Sequence, residues 1–189
     1  KRIFRDLLRA RYALNTQICV GLDTEWTKLP YCMNSSTIQK SVLPFNRRII
    51  DATHDLVCAY KINPAFYQQE GISGIEVLMD TIDYIHLQAP QILVILDGKY
   101  GDIANTNIAY ARSAFFSYKA DAVTVNPLLG RDSVQPFLNY EDKGIFIVCH
   151  TSNPDSKEFQ DTPLIGTPLY QKIAHHVTDT WNRNNNCGL

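Results

Sequence analysis

Five short runs rich in apolar and β-branched residues recur along this chain: QICVGLD (17–23), VCAYKIN (57–63), QILVILD (91–97), DAVTVN (121–126) and GIFIVCH (144–150). Runs this apolar suit strands covered on both faces, as in a parallel sheet flanked by helices. Between them the spacing turns helical. FNRRIIDATHDL can gather Phe45, Ile49, Ile50 and Leu56 on one face, and GIEVLMDTIDYIHL can gather Ile75, Leu78, Met79, Ile82 and Ile85. Strand then helix, repeated every 23 to 40 residues, predicts a parallel sheet with right-handed crossovers, either an open doubly wound sheet or a barrel.

The residues that end the runs favour one of these. Asp23, Lys61 with Asn63, Asp97 with Lys99, Asn126, and His150 with Thr151 and Ser152 all fall at carboxyl ends. A barrel converges such ends on one mouth, whereas an open sheet spreads them and binds chiefly at one switch point. No G-x-G-x-x-G follows the first run, and GLDTEWTKLP offers no dinucleotide or phosphate-loop cradle. The expected class is therefore α/β, a (β/α)8 barrel. With 189 residues against about 250 for a typical barrel, only about the first five to six strand-helix units are expected, as one domain over 1–189.

Composition narrows the partners. With 18 Lys and Arg against 19 Asp and Glu, no overall field favours nucleic acid or an anionic membrane. No apolar stretch reaches the length of a membrane span, and KRIFRDLLRARYAL mixes charge with apolar residues unlike a secretory signal. Cys19, Cys32, Cys58, Cys149 and Cys187 are odd in number and lack a C-x-x-C, so they are expected as reduced core residues of a cytoplasmic protein.

One cluster carries chemistry. In ILVILDGKYGDI (92–103), Asp97, Lys99 and Asp102 follow five apolar residues. The two-residue period of a strand can point Asp97 and Lys99 to one side and Gly98 to the other, and Lys61 sits near the end of its own run. The plainer reading of D-x-K-x-x-D is a solvated strand-to-helix loop, with Asp102 or Asn105 as a helix cap.

LDGKYGDIANT, together with VGLD, AYKINPAFYQQEG, TVNPLLGRDS and CHTSNPDSKEFQD, resembles the orotidine 5'-phosphate decarboxylase family, in order, from about residue 12 to 189. The resemblance implies a barrel that forms homodimers with shared active sites and converts orotidine 5'-phosphate to uridine 5'-phosphate with neither metal nor organic cofactor. It places Asp97 and Lys99 beside the reacting C6 of the pyrimidine, and Lys61 between the ribose and this array. It sets Asp23 on ribose hydroxyls and Ser152 on the pyrimidine amide edge. Asp102, Ile103 and Thr106 would reach across the interface, the last two toward base and ribose. Loss of carbon dioxide leaves a localised carbanion, which an ammonium held and kept charged by carboxylates could stabilise and protonate.

The chain also departs from that pattern. It reaches its end at NNNCGL, where the family continues into strands supplying a phosphate-binding backbone, a glutamine and an arginine, and His150 stands where many relatives have arginine. Alternatives are a catalytically silent nucleotide-binding fragment, such as part of a fusion with orotate phosphoribosyltransferase, and a Mg²⁺-dependent sugar-phosphate lyase of the same superfamily. The lyases share D-x-K-x-x-D but usually carry an acidic ligand on the second strand, where Lys61 would repel a metal. Other features read plainly. His175 and His176 would project about 100° apart on a helix and share no metal; Cys149, Tyr12, Tyr60, Phe66 and Tyr67 read as packing; Thr151 and Asn153 as turn residues before Pro154; and WNRNNN as a helix end and loop.

Overall fold

The computed structural model describes residues 1–189. Helix α1 (Phe4–Tyr12) precedes β1 (Ile18–Gly21), α2 (Ile38–Thr53), β2 (Val57–Ile62), the short α3 (Ala65–Gln68), α4 (Gly71–Gln88), β3 (Leu93–Tyr100), α5 (Ala104–Arg112), β4 (Ala122–Val125), α6 (Arg131–Leu138) and β5 (Gly144–Ile147). The small strands β6 (Pro163–Leu164) and β7 (Thr167–Pro168) then pair antiparallel, before α7 (Leu169–His176) and β8 (Cys187–Gly188). The main sheet is parallel throughout, in the order β1-β2-β3-β4-β5-β8. Each strand lies beside the previous one, with no reversal of order. That is the succession of a barrel and not of a doubly wound sheet, and β1 and β8 form its two edges.

The helices mostly follow the apolar spacing. Thr37 caps α2 by accepting from Lys40 N, and Ile38, Val42, Asn46 and Ile50, four residues apart, face inward. Leu56 is not part of that face: the helix ends at Thr53 and Leu56 is exposed. On α4, Leu78, Ile82 and Ile85 are buried as expected, together with Val77 and Thr81, while Met79 turns to solvent. Two cysteines also depart from expectation. Cys58 is buried and Cys149 and Cys187 are half-buried, but Cys19 on the edge strand β1 and Cys32 in a short turn are exposed; all five are free thiols. Tyr60 and Tyr67 are fully buried whereas Tyr12 is exposed, and His175 and His176 lie on the exposed side of α7. Residues 182–186 make the expected loop after Trp181, whose helical turn ends there. No helix is long and apolar enough to cross a membrane.

Two apolar layers line the sheet. Alternate residues such as Tyr60, Val94, Leu96, Val123 and Ile145 pack outward against the helices. Cys58, Ala59, Leu93, Ile95 and Ala122 form a smaller inner cluster with Phe4 of α1. Helix α1 crosses the amino-terminal ends of the strands. Phe4 N donates to Asp142 O at 2.9 Å, Arg11 Nε donates to Val57 O at 2.9 Å, and the Arg2 guanidinium grips Asp121. Gly144 leaves room for this plug, since a Cβ there would lie 2.5 Å from the Phe4 ring. With the amino-terminal mouth stopped, the carboxyl ends are left for chemistry.

Candidate active site

At the carboxyl ends of β1, β2 and β3 four charges alternate in a row. Asp23 Oδ2 lies 3.5 Å from Lys61 Nζ, Lys61 Nζ lies 3.0 Å from Asp97 Oδ2, and Lys99 Nζ donates to both Asp97 oxygens at 2.8 Å. Asp97 is the buried member, its side chain 8% exposed, against 34% for Lys61 and 48% for Lys99. Burial alone pushes the Asp97 carboxyl up, but hydrogen bonds from Lys99, Thr124 and Lys61 outweigh it and leave the group more acidic than usual. For Lys61, burial pulls the ammonium down and the Asp97 and Asp23 carboxylates more than restore it. Asp97 and Lys61 are thus each held in the ionised form by their neighbours. Asp23 Oδ1 also accepts from Asn63 N at 2.9 Å, which ties the ends of β1 and β2 together.

Asp97 and Lys99 share a side, as anticipated, but not through plain strand alternation. The pairing of β3 with β4 slips between Leu96 and Tyr100, and Lys99 takes φ +45°. For a residue with a Cβ this conformation costs about 1–3 kcal/mol. The kink folds the lysine back over its own carboxylate. Gly98 permits it: a Cβ there would lie 2.5 Å from the Tyr100 ring, which is itself stacked with Tyr110 and with Phe137 at centroid distances of 4.8 and 6.0 Å. The slip leaves Lys99 N outside the ladder, where it donates to Thr124 Oγ1 at 2.8 Å. The same hydroxyl donates to Asp97 Oδ1 at 2.8 Å. Thr124 escaped the sequence reading because threonine is an ordinary strand residue. The available signal was that it is the one polar side chain within AVTV.

A cavity of about 470 Å³ opens over three members of this row, Lys61, Asp97 and Lys99, and is lined also by Thr124, Cys149 and Ser152. Ser152 lines the same cavity as Lys61, Asp97 and Lys99. Cys149 proves to be a wall of the cavity, not a core residue. His150 pairs with Asp161 at 2.9 Å and sets its ring against Tyr170. Thr151 and Asn153 form the expected turn, with Thr151 Oγ1 donating to Asn153 Oδ1 at 2.6 Å.

Three of the residues singled out from the sequence, Asp102, Ile103 and Thr106, make no hydrogen bond or ion pair with Lys99 within this chain, although Asp102 and Lys99 border one cavity. Asp102 turns to its own helix, accepting from Ile103 N at 2.7 Å, and Asn105 likewise accepts from Thr106 N at 2.9 Å. Ile103 is 59% exposed. Asn107, buried behind them, fixes the start of α5 by donating to Asp102 O and Ser133 O. Asp102, Ile103 and Thr106 thus form an exposed to half-buried ridge beside the charged row.

A mouth with two ammonium groups gripping one buried carboxylate suits stabilisation of negative charge developing on a bound molecule. A profile of the orotidine 5'-phosphate decarboxylase / HUMPS family matches residues 16–189. The chain is 47% identical over 175 residues to a protein named orotidine 5'-phosphate decarboxylase from Cellvibrio japonicus, covering 93% of this chain and 63% of that protein. It is 43% identical to its namesake from Roseiflexus castenholzii, covering 98% and 66%. The chain thus spans a little under two thirds of the length of these curated relatives. Among solved structures, Leishmania donovani UMP synthase superposes with a TM-score of 0.89 at 38% identity, covering 100% of this chain and 39% of that one. Leishmania donovani OMP decarboxylase superposes with a TM-score of 0.87 at 38% identity, covering 99% and 69%. These matches, running through every strand that carries the charged row, show that the chain belongs to the orotidine 5'-phosphate decarboxylase / HUMPS family.

Proposed function

We propose that the protein carrying this chain decarboxylates orotidine 5'-phosphate to uridine 5'-phosphate, the last step of de novo pyrimidine synthesis. The observation that carries the reading is the Lys99 ammonium fixed at 2.8 Å on the buried Asp97 carboxylate, inside a row of alternating charge that faces a cavity. Departure of carbon dioxide from C6 leaves an electron pair in an sp² orbital with no π system to spread it, so the site must meet localised negative charge with a fixed cation. Lys99 supplies that cation and then the proton. Lys61 holds Asp97 from the other side and faces the ribose with Asp23, and Ser152 takes the pyrimidine amide edge. Because these partners are in place beforehand, no reorganisation is required as charge develops.

Repulsion between Asp97 and the substrate carboxylate is a smaller effect. Two like charges about 4 Å apart cost about 4 kcal/mol at an effective dielectric near 20, or roughly three decades of rate. Accelerations at the high end of the enzyme range need roughly 20 kcal/mol, so most of the effect comes from preorganised charge and from binding energy remote from C6.

In this reading the ridge of Asp102, Ile103 and Thr106 serves the site of a second copy, which makes the working unit a homodimer with shared sites. The exposure of Ile103 and the absence of an Asp102 to Lys99 ion pair within one chain support it. The likeness to a UMP synthase over 39% of that chain supports a fusion with orotate phosphoribosyltransferase. A Mg²⁺-dependent lyase chemistry is disfavoured by Lys61, whose ammonium sits where a metal would have to approach Asp97. The test is turnover of orotidine 5'-phosphate by the full-length protein, followed as uridine 5'-phosphate by chromatography with and without EDTA. The expected result is equal turnover in both. No product, or turnover only with added Mg²⁺, would overturn the reading.

A further inference from the structure

Thr124 has no part in the chemistry described so far, yet both halves of the Asp97–Lys99 pair pass through its hydroxyl. We propose that Thr124 is a positioning residue, whose hydroxyl locks the Asp97 carboxylate and the Lys99 backbone in the arrangement that presents the ammonium to the cavity. A hydroxyl has one hydrogen to give and lone pairs to accept with. Here the hydrogen goes to Asp97 Oδ1 at 2.8 Å, and a lone pair accepts the Lys99 amide at 2.8 Å. Lys99 needs that anchor more than most residues, because it sits at φ +45° and its amide lies outside the slipped β3–β4 ladder. Without the hydroxyl the amide has no partner on β4, and the backbone is free to relax toward the extended region. Such a change rotates the side chain away from Asp97.

Thr124 also acts on the charge of Asp97. The titratable groups facing that carboxyl are Lys99 on its own strand and Lys61 on β2, with Asp23 and Cys19 behind them on β1. β4 contributes only the neutral hydroxyl. Its hydrogen bond helps hold the carboxyl acidic, so its removal raises the pH at which Asp97 titrates. Serine keeps this bond. Valine keeps the shape and loses it.

The catalytic arm of the test rests on the decarboxylase reading; the spectroscopic arms do not. In Thr124→Val, kcat for orotidine 5'-phosphate should fall about ten- to a hundredfold, the range for a hydrogen bond to a charged group, with KM within about threefold. The Asp97 carboxyl carbon, followed by NMR, should titrate at higher pH, and the Lys99 amide should exchange faster. Thr124→Ser should restore all three. A Thr124→Val protein with parental kcat, Asp97 titration and Lys99 exchange would overturn the proposal. So would a Lys99 amide that already exchanges at the unprotected rate in the wild-type protein, a measurement that needs no variant and holds if Thr124→Val fails to fold. A wild-type protein with no turnover but a protected Lys99 amide would refute the functional reading and leave the role of Thr124 standing.

Discussion

Replacing Arg2 by alanine removes the fork that holds the amino-terminal plug to the sheet, and its cost follows from the burial of Asp121. The Asp121 side chain is 1% exposed and receives Arg2 Nε at 2.8 Å and Nη2 at 2.7 Å. Val94 N donates to it at 2.9 Å. Arg2 spans further, donating to Pro90 O and Ile92 O. Burial alone would push the Asp121 carboxyl up, but the nearby His86 ring, Arg2 and the Val94 amide hold it at about 2. His86 Nε2 stands 3.8 Å away, beyond hydrogen-bond reach, so Arg2 and Val94 make the direct contacts. A carboxyl that ionises at about 2 when folded and about 3.9 when unfolded contributes about 2.6 kcal/mol at neutral pH. Since the folded value is the depressed one, that contribution is present above about pH 4 and is lost as the pH falls toward 2. Arg2→Ala strands a buried carboxylate, which costs about 3–5 kcal/mol when nothing else compensates. With Val94 N still in place, we expect a deficit of about 2–4 kcal/mol at pH 7, shrinking by half or more near pH 2.5, where Asp121 approaches neutrality in the variant and begins to protonate in the parent. Urea unfolding followed by tryptophan fluorescence at the two pH values measures it. A deficit below about 1 kcal/mol at pH 7, or one that is unchanged in acid, would refute the reasoning.

Gly98→Ala should destabilise the protein by about 1–3 kcal/mol, as overpacking does, and depress activity through the Lys99 kink, because the Tyr100 ring that a Cβ would meet is held by stacking with Tyr110 and Phe137; parental melting temperature and turnover would count against this. Full-length Lys99→Ala and Asp102→Ala proteins, each inactive alone, should regain activity when mixed, because one hybrid site then holds both groups; no recovery after demonstrated subunit exchange removes the shared site. Tyr67→Phe should cost about 1–3 kcal/mol, since Leu22 O loses the Tyr67 hydroxyl that donates to it at 2.7 Å and Asn46 Nδ2 loses one of its two acceptors, at 2.9 Å, keeping only Thr81 Oγ1; equilibrium unfolding would show it.

Much of the architecture was legible because the signals were physical and local. The four runs that become β2 to β5 are buried along most of their length and so are apolar, and the positions where charge interrupts them, Lys61, Asp97 and Lys99, are the ones that meet at the mouth. What escaped was whatever depends on a neighbour distant in sequence. Thr124 looks like any strand threonine until β3 slips beside it. Asp23 was assigned to a ligand and also proves to be the outer member of the charged row. Leu56 matched the helical spacing of its segment, but the helix had already ended, and Cys19 lies in an apolar run whose strand is an edge. The β6–β7 pair, two residues on each side, is too short to leave any periodic trace.

The central claim is that the Lys99 ammonium is the cation and proton donor at C6, and the most direct measurement is single-turnover decarboxylation by the full-length Lys99→Ala protein beside its affinity for uridine 5'-phosphate. The account predicts no measurable turnover with nucleotide binding retained within about tenfold. Decarboxylation within tenfold of the parent rate would contradict it.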